Sequence, residues 1–472
     1  MNRLEAAKQT IYNNEPTDGI DRAEGLRHVL RLQQFASTSY EKDALHPGVA
    51  RCPGAICKIG FDSPDQTQIS VNPLSPPYTY RVYGNLNSID FSSWQLLTPV
   101  TFQGPSMSSD QLVVDADRNY EIFLGAGFCS PQQPTCSCAK GPNCFYLPPN
   151  GGQLILRAIY GNWSTEIEPS VQVEVLDVTD YPPVPTLTPV SFYASGIQTG
   201  ATLNGVLNSF STLPFNLFLL DMTGTGSGAF PALGTPLIPG LGAQDLNLQT
   251  HGKYNLPLDK AIIVVRTPED IRSGNIQLAN RWLESLDYSS RLVSYNMQQS
   301  YQDSDGNYRY VISHEDPGVA NWLDTRDHAE GTILLRYLWP TDVGSLIEPT
   351  YTVVPLDEVW NYMPADHPFV GQAERNAVLK ARNAGVNRRH NPAGLGAFAD
   401  SDGDGEANST DACPGTPPGA EVDGDGCSIQ QFCAKYNGQV SQCMFADFKN
   451  DEPVGSPNDC KPNVITKVCQ PK

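Results

Sequence analysis

The stretch Ala261-Ile-Ile-Val-Val-Arg266 decides the fold class of this 472-residue chain. Four of its six side chains are β-branched, and such side chains fit the pleated surface of a sheet better than a helix. Short β-branched or aromatic runs recur on both sides of it. The chain also contains 40 glycines and 39 prolines but only 17% charged residues, which favours strands and long loops over helices. We therefore predict a mainly β protein with a few helices.

The predicted strands form two series. The first comprises residues 78–83, 112–115, 120–124, 154–160 and 171–178, and the second comprises residues 261–266, 276–280, 292–298, 308–313, 332–338 and 351–355. A hairpin turn at residues 115–119 is predicted to join the second and third strands. Helices are predicted at residues 4–12, 20–35 and 372–383, the second with Ala23, Leu26, Val29 and Leu30 as an apolar stripe.

The charge of the chain limits its partners. A formal net charge of −20 argues against nucleic acids and anionic membrane surfaces, and it suits calcium or cationic ligands. No stretch approaches the roughly 18 consecutive apolar residues of a membrane-spanning helix, so no transmembrane segment is predicted. The first residues lack the apolar core of a signal peptide, and we therefore expect an exported chain to be in its mature form.

The segment Asp400-Ser-Asp402-Gly-Asp404-Gly405-Glu-Ala-Asn408-Ser-Thr-Asp411 predicts a calcium site. Carboxylates stand at positions 1, 3, 5 and 12 of this loop, and glycine stands at position 6. Calcium takes six to eight oxygens at roughly 2.3–2.6 Å, which alternating side chains around a glycine turn can supply, whereas magnesium fits less well. The alternative is an acidic, flexible linker that binds ions only diffusely.

Together with residues 413–427, this segment resembles a thrombospondin type 3 repeat, in which a disulfide closes the acidic loop. The resemblance implies Ca²⁺ as the cofactor and a bridge between Cys413 and Cys427. The side-chain ligands that it implies are Asp400, Asp402, Asp404, Asn408, Asp411 and Asp423. Asn408 stands where the repeat more often carries aspartate, which would lower the affinity.

Twelve cysteines fall into two clusters of six, with none between them. The first cluster is Cys52, Cys57, Cys129, Cys136, Cys138 and Cys144, and the second is Cys413, Cys427, Cys433, Cys443, Cys460 and Cys469. Even clusters in loops rich in proline and glycine predict disulfides within each cluster and an extracellular, cell-surface or periplasmic location. A zinc site at the four cysteines of residues 129–144 is the alternative. Sequons at Asn162 and Asn408 permit N-glycosylation.

Three stretches of the second series resemble the bacterial family called domain of unknown function 1214. They are residues 277–288 around Arg281-Trp282, residues 314–325 ending Asn321-Trp322-Leu-Asp324-Thr, and Gly331-Thr-Ile-Leu-Leu-Arg336-Tyr. Asp21-Arg-Ala-Glu-Gly-Leu-Arg, Tyr80-Arg-Val-Tyr-Gly-Asn85 and Leu154-Ile-Leu-Arg157-Ala-Ile-Tyr resemble the portion that precedes it in longer members. The resemblance covers about residues 18–360 and implies β domains of sandwich type with helical additions. The family has no settled activity, so it implies little chemistry.

These observations predict six segments. They are a helical segment at 1–40, a first β domain with a cysteine cluster at 41–180, a proline-rich linker at 181–189, a second β domain at 190–360, a helical connector at 361–394 and a disulfide-rich, calcium-binding tail at 395–472.

A catalytic cluster is one possibility for the second domain. His314, Asp324 and His328 are the best candidates, because a histidine oriented by a carboxylate can act as a general base. The alternative is structural, since Asp316-Pro-Gly is a natural turn. The sequence contains no serine-hydrolase or zincin motif, and prolines after Gly224-Thr-Gly226-Ser-Gly228 prevent the helix that a phosphate loop needs.

Binding or assembly is the prediction that we prefer. Trp94, Trp163, Trp282, Trp322 and Trp339 could stack against sugars, although such residues lie more often in the core. We predict a secreted calcium-binding surface protein that binds a carbohydrate or cell-surface partner or assembles with itself, for example in a filament. An extracellular, hydrolase-like enzyme with a site around residues 314–328 is the alternative.

Overall fold

The computed structural model describes residues 2–13, 19–38, 43–51, 58, 60, 62–98, 104–176, 178, 182–183, 188–189, 219–233 and 246–390, and shorter pieces of the tail at 413, 415–416, 420, 422, 427–428, 431, 446–447, 452–453, 460–462 and 469–471. Met1–Asn383 form one compact unit, and Ala384–Lys472 form a second.

The first unit is mainly β and contains two domains of sandwich type, as predicted. The strands of the first sandwich are β1 (Gly48–Arg51), β2 (Gln66–Leu74), β3 (Thr79–Asn85), β4 (Phe91–Leu97), β5 (Ser106–Ser108), β6 (Asn119–Gly125), β7 (Thr135–Cys138), β8 (Gly141–Tyr146), β9 (Gly152–Ile159) and β10 (Gln172–Leu176). One sheet has the order β1-β2-β9-β4-β5 and the other has the order β10-β3-β6-β8-β7. The β6–β8 pair is parallel, and the other pairs are antiparallel.

The second sandwich also has two five-stranded sheets. Its strands are β11 (Leu220–Asp221), β12 (Ser227–Ala229), β13 (Asn247–Asn255), β14 (Lys260–Arg266), β15 (Ile271–Ala279), β16 (Ser294–Asn296), β17 (Tyr308–Ser313), β18 (Trp322–Asp324), β19 (Glu330–Pro340) and β20 (Thr350–Pro355). The sheet orders are β11-β13-β19-β15-β16 and β12-β20-β14-β17-β18. Two edge strands pair in parallel, β11 with β13 and β18 with β17.

The two sandwiches are copies of one topology. Strands β2-β9-β4-β5 correspond in order and direction to β13-β19-β15-β16, and β10-β3-β6-β8 correspond to β20-β14-β17-β18, including the parallel pair. The register agrees as well, because Arg157 on β9 lies opposite Gln68, and Arg336 on β19 lies opposite Gln249. Burial lowers the pKa of both arginines to about 10. The chain therefore contains an internal structural repeat.

Most of the predicted strands are present, but two differ. Residues 112–115 hold only a single bridge from Val114 to Tyr120, because the Asp115 carboxylate accepts the backbone N–H of Asn119 and closes a tight turn. The predicted strand at 292–298 shortens to β16, because the chain turns after Asn296. Strand β4 was not predicted, since its serines and glutamine suggest a surface segment, yet all of its residues are buried.

The helices are α1 (Asn2–Asn13), α2 (Gly19–Thr38), the single turn α3 (Met222–Thr225) and α4 (Gln372–His390), with 3-10 helices at Val343–Ser345 and Leu356–Tyr362. No helix within the described residues is long and apolar enough to cross a membrane. At Gly224-Thr-Gly226-Ser-Gly228, where the following prolines argue against a phosphate loop, Asp221 caps α3 through the N–H of Gly224, and the chain continues as β12.

Helix α2 packs against the second sandwich through a face that is partly polar. The predicted apolar stripe is wrong at Ala23 and Leu30, which are exposed, whereas Asp21, Gly25 and His28 are buried with Val29 and Leu32. The Trp282 indole donates to the Asp21 carbonyl at 2.7 Å. The His28 imidazole lies 2.7 Å from the Glu284 carboxylate, which Arg31 also contacts. The helix is therefore held by polar contacts to residues 280–284 of the second sandwich.

Three disulfides are described, and all are local, as predicted. Cys129–Cys136 and Cys138–Cys144 lie around the β7–β8 hairpin, so the zinc alternative at these four cysteines is wrong. Cys413–Cys427, the bridge that the thrombospondin resemblance implies, closes a loop in the second unit. Cys52, Cys57, Cys433 and Cys443 lie outside the described residues.

Beyond the end of helix α4, the second unit is described in pieces around this bridge and in four short strands. The Gln431 side chain donates to the Cys413 carbonyl at 3.2 Å and accepts from the Thr416 hydroxyl at 2.8 Å and from the Ser428 N–H at 3.0 Å. One amide therefore ties both ends of the disulfide loop together. The strands are β21 (Ala446–Asp447), β22 (Glu452–Pro453), β23 (Cys460–Pro462) and β24 (Cys469–Pro471), paired as β21–β22 and β23–β24.

Candidate functional site

The predicted calcium ligands are not part of the described structure. Asp400, Asp402, Asp404, Asn408, Asp411 and Asp423 all lie outside the described residues. The calcium site therefore stays a prediction, next to a bridge that the structure does describe.

The side chains of His314, Asp324 and His328 contact three different sets of partners. The His314 ring lies between the Leu256 carbonyl at 2.8 Å and the Thr325 hydroxyl at 2.7 Å. Asp324 pairs with Arg291 at 2.8 Å. His328 instead contacts Glu24 of helix α2 at 2.9 Å. No hydrogen bond described here joins any two of the three side chains, and their catalytic role stays a prediction.

His328 belongs to a cluster that the sequence analysis missed. Ligand atoms of Asp21, Glu24 and His328 lie within 4.8 Å of one another, and Asn280 donates its amide to Glu24 at 2.7 Å. Burial opposes the charge on Glu24, but the hydrogen bond and charge of His328 outweigh it and lower the pKa of Glu24 to about 2. Burial likewise opposes the charge on His328, and Glu24 outweighs it, so the pKa of His328 is raised.

Tyr254 lies beside this cluster. The Tyr254 side chain is 1% exposed, and its hydroxyl oxygen has no hydrogen-bond partner among the described residues. A Cβ on Gly331 would lie 2.4 Å from that oxygen. Only glycine at position 331 therefore leaves room for the Tyr254 hydroxyl to extend across β19 towards the end of β15. Burial, followed by the charges of Asp21, Asp324 and Glu24, raises the pKa of Tyr254.

A second candidate site is a recess of about 520 Å³ between the loop after β9, the β16 edge and helix α4. It is lined by Gly161, Asn162, Trp163, Ser164, Leu292, Tyr295, Gln298, Gln299, Tyr301, Ala320, Asn321, Val370, Glu374, Arg375, Val378, Ala381 and Arg382. The lining is largely apolar and aromatic, with amide and hydroxyl groups at the rim. Such a composition is typical of small-molecule sites, whose volumes run from about 300 to 1,000 Å³.

Asp65 fixes the wall of the recess from behind. Its buried carboxylate accepts from the Trp163 indole at 2.8 Å and from the side-chain amides of Asn275 at 2.7 Å and Asn296 at 2.9 Å. Asn296 also donates to the carbonyls of Tyr160 and Gly161. These bonds join both sandwiches behind the recess, so its aromatic wall is held rigidly.

The two arginines of the recess are engaged by protein groups. Arg375 binds both oxygens of Asp316 at 2.8 and 3.0 Å. Arg382 donates to the Ser294 carbonyl at 2.5 Å and to Gln299 at 3.0 Å, and its guanidinium lies 4.9 Å from the centre of the Trp163 ring. Their hydrogen-bonding capacity is therefore largely committed to the walls of the recess.

The candidate tryptophans have mostly structural positions. Trp94 and Trp282 are fully buried, Trp339 packs edge-on against Phe91, and Trp322 donates to Ser313. Trp163 is buried as well, but it lines the recess. The sequon residue Asn162 is exposed at the same rim, and the sequon at Asn408 lies outside the described residues.

One signal in the sequence could have located the missed cluster. Asp21 and Glu24 are three residues apart, which places both carboxylates on one face of a helix. Their partner His328 is 304 residues from Glu24, and nothing in the sequence pattern brings the two together.

Comparison with protein families and with curated proteins finds no match. Among solved structures, the chain is similar to a Burkholderia cenocepacia protein described as uncharacterized, with a TM-score of 0.66 and 23% identity over 76% of this chain and 96% of that one. A Vibrio parahaemolyticus protein aligns with a TM-score of 0.39 and 10% identity over 75% of this chain and 100% of that one. The Burkholderia structure supports the fold over the shared region.

Proposed function

We propose that the chain is a disulfide-stabilised, calcium-binding extracellular protein that binds a neutral carbohydrate in the recess. The observation that carries the proposal is the meeting of the exposed ring of Tyr301 with the uncharged side chains of Gln298, Asn162 and Ser164 in one recess. A sugar ring has an apolar C–H face and a rim of hydroxyls. An aromatic ring and neutral amides or hydroxyls match both.

Arg375 and Arg382 already bind protein groups, which favours a neutral ligand over an anionic one. An acidic ligand would have to displace Asp316 from Arg375, or the Ser294 carbonyl and Gln299 from Arg382. Displacing the Ser294 carbonyl would leave a buried protein group without a hydrogen bond, which costs about 1–3 kcal/mol. Glu374 at the same rim adds a negative charge that repels an anion.

Binding to neutral and to charged oligosaccharides tests the proposal directly. The full chain, made in a host that does not glycosylate Asn162, is titrated with both classes by calorimetry. We expect binding of a neutral oligosaccharide. Tyr301→Ala should weaken it between about twofold and tenfold, the range of one aromatic contact. Gln298→Ala should weaken it by about fivefold, the value of one hydrogen bond of about 1 kcal/mol.

Tyr362→Ala is the matched control, because Tyr362 is an exposed tyrosine that does not line the recess. Its affinity should equal that of the wild type. Preference for sulfated or sialylated sugars, or unchanged affinity in the Tyr301→Ala and Gln298→Ala double variant, would contradict the proposal.

The calcium and location parts of the proposal rest on the tail and the cysteines. The Cys413–Cys427 bridge supports the calcium loop, because it closes the segment that contains Asp423 and directly follows the other five predicted ligands. Three local disulfides support an oxidising compartment. Self-assembly on a cell surface stays a prediction and is tested below by the mass of the native particle.

A further inference from the structure

We propose that Asp21, Glu24 and His328 bind one divalent transition-metal ion of the Zn²⁺ type, which links helix α2 to the second sandwich. The three ligand atoms lie within 4.8 Å of one another. Around a tetrahedral zinc ion, with bonds of about 2.0–2.2 Å, ligand atoms stand roughly 3.3–3.6 Å apart. Side-chain movements on the order of 1 Å are needed to close the site.

The hydrogen bonds of His328 fix which nitrogen faces the cluster. Its Nδ1 lies 3.1 Å from the Thr325 carbonyl and 3.0 Å from the Arg326 carbonyl. Carbonyl oxygens only accept, so Nδ1 carries a proton. The other nitrogen, Nε2, faces the Glu24 carboxylate 2.9 Å away. This pair is held together either by a proton on Nε2 or by a metal ion that replaces that proton.

Tyr254 gives a second, independent observation. Its hydroxyl is buried and has no partner within the described part of the chain, although a buried hydroxyl normally finds one. The Tyr254 hydroxyl extends past Gly331 towards Ala279. Ala279 precedes Asn280, whose side-chain amide donates to Glu24. A metal ion or its bound water would supply the missing partner.

The donor set selects the class of metal. One imidazole nitrogen and two carboxylates suit zinc or manganese, whereas calcium takes six to eight oxygens. The supporting shell is present as well, since Asn280 orients Glu24 and two carbonyls orient His328. The Glu24 side chain is 17% exposed, which leaves the ion a route from solvent.

Calorimetry with Zn²⁺ tests the site. The full chain is stripped with chelator, supplied with excess Ca²⁺ to saturate the tail, and titrated with Zn²⁺ alone. We expect one tight site. Glu24→Gln and His328→Gln should each weaken it on the order of 100-fold or more, and Tyr254→Phe by roughly tenfold. Glu121→Gln, which removes an exposed carboxylate paired with Arg81, should leave the affinity unchanged.

Crystals of the wild type soaked in Zn²⁺ keep the proposal testable if a variant fails to fold. An anomalous peak within about 2.3 Å of His328 Nε2 is expected. The proposal is overturned by the absence of that peak, by the absence of a tight site in the wild type, or by equal affinity in the wild type and His328→Gln.

Discussion

His251 on β13 links the stability of the first unit to pH. The residue is 4% exposed, and burial lowers its pKa from 6.5 to about 4. In the unfolded chain, His251 therefore binds a proton below about pH 6.5. In the folded chain, it binds that proton only below about pH 4. A depressed pKa of this kind gives stability that is fully present above pH 6.5 and is lost as the pH falls towards 4.

We expect the free energy of unfolding to fall by about 2 kcal/mol between pH 7 and pH 5 through this residue, since each unit of pH below 6.5 costs up to about 1.4 kcal/mol. Urea unfolding followed by tryptophan fluorescence measures the loss. In His251→Gln the difference between the two pH values should shrink by the same amount. An unchanged difference would assign the titration to other groups.

Helix α2 depends on one close approach. A Cβ on Gly25 would lie 2.7 Å from the Ile11 side chain and 2.8 Å from the Trp282 ring. Both neighbours are fully buried, and the indole is held by the Asp21 carbonyl. Neither can move away without losing its own packing. The contact between α2 and the second sandwich therefore tolerates no side chain at this position.

Gly25→Val should destabilise the docked helix by about 1–3 kcal/mol, the usual cost of overpacking. Hydrogen exchange of residues 19–38 should rise, while the sheets keep their protection. Ala23→Val on the exposed face of the same helix is the matched control and should leave the exchange near that of the wild type. Equal exchange in both variants would mean that the helix is not held at Gly25.

At the scale of the whole molecule, calcium should govern the tail without affecting the first unit. A site held at a hundredfold excess of calcium contributes about 2.7 kcal/mol, which chelation removes. Protease cleavage between residues 394 and 433 should therefore increase in chelator. Asp404→Asn should lower the calcium affinity measured by calorimetry, and Glu406→Gln, outside the predicted ligand set, should not. Light scattering with and without chelator reports whether particle mass also depends on calcium, as self-assembly predicts.

The sequence predicted the strands that consist of a continuous run of apolar residues, because such a run by itself indicates burial. Strands β14, β17 and β20 are of this kind, and the structure confirms them. It did not predict β4, whose buried Ser92, Ser93 and Gln95 read as surface residues, because their partners come from distant strands. The cluster of Glu24 and His328 was missed for the same reason, since it forms only when α2 meets the second sandwich. Local pattern predicts elements, whereas a site made by docking depends on the assembled fold.

The docking of α2 also sets an order of events during synthesis. His28 and Glu284 are 256 residues apart, so at 5–20 residues per second the helix leaves the ribosome roughly 13 to 50 seconds before its partner does. During that interval, the face of α2 that later packs against the second sandwich is exposed to solvent and to other proteins. Asp21 and His28 interrupt the apolar surface that Val29 and Leu32 form on that face, so the free helix offers chaperones and neighbouring nascent chains a smaller apolar surface to bind. A partly polar seam suits a contact between the earliest and the later parts of a growing chain.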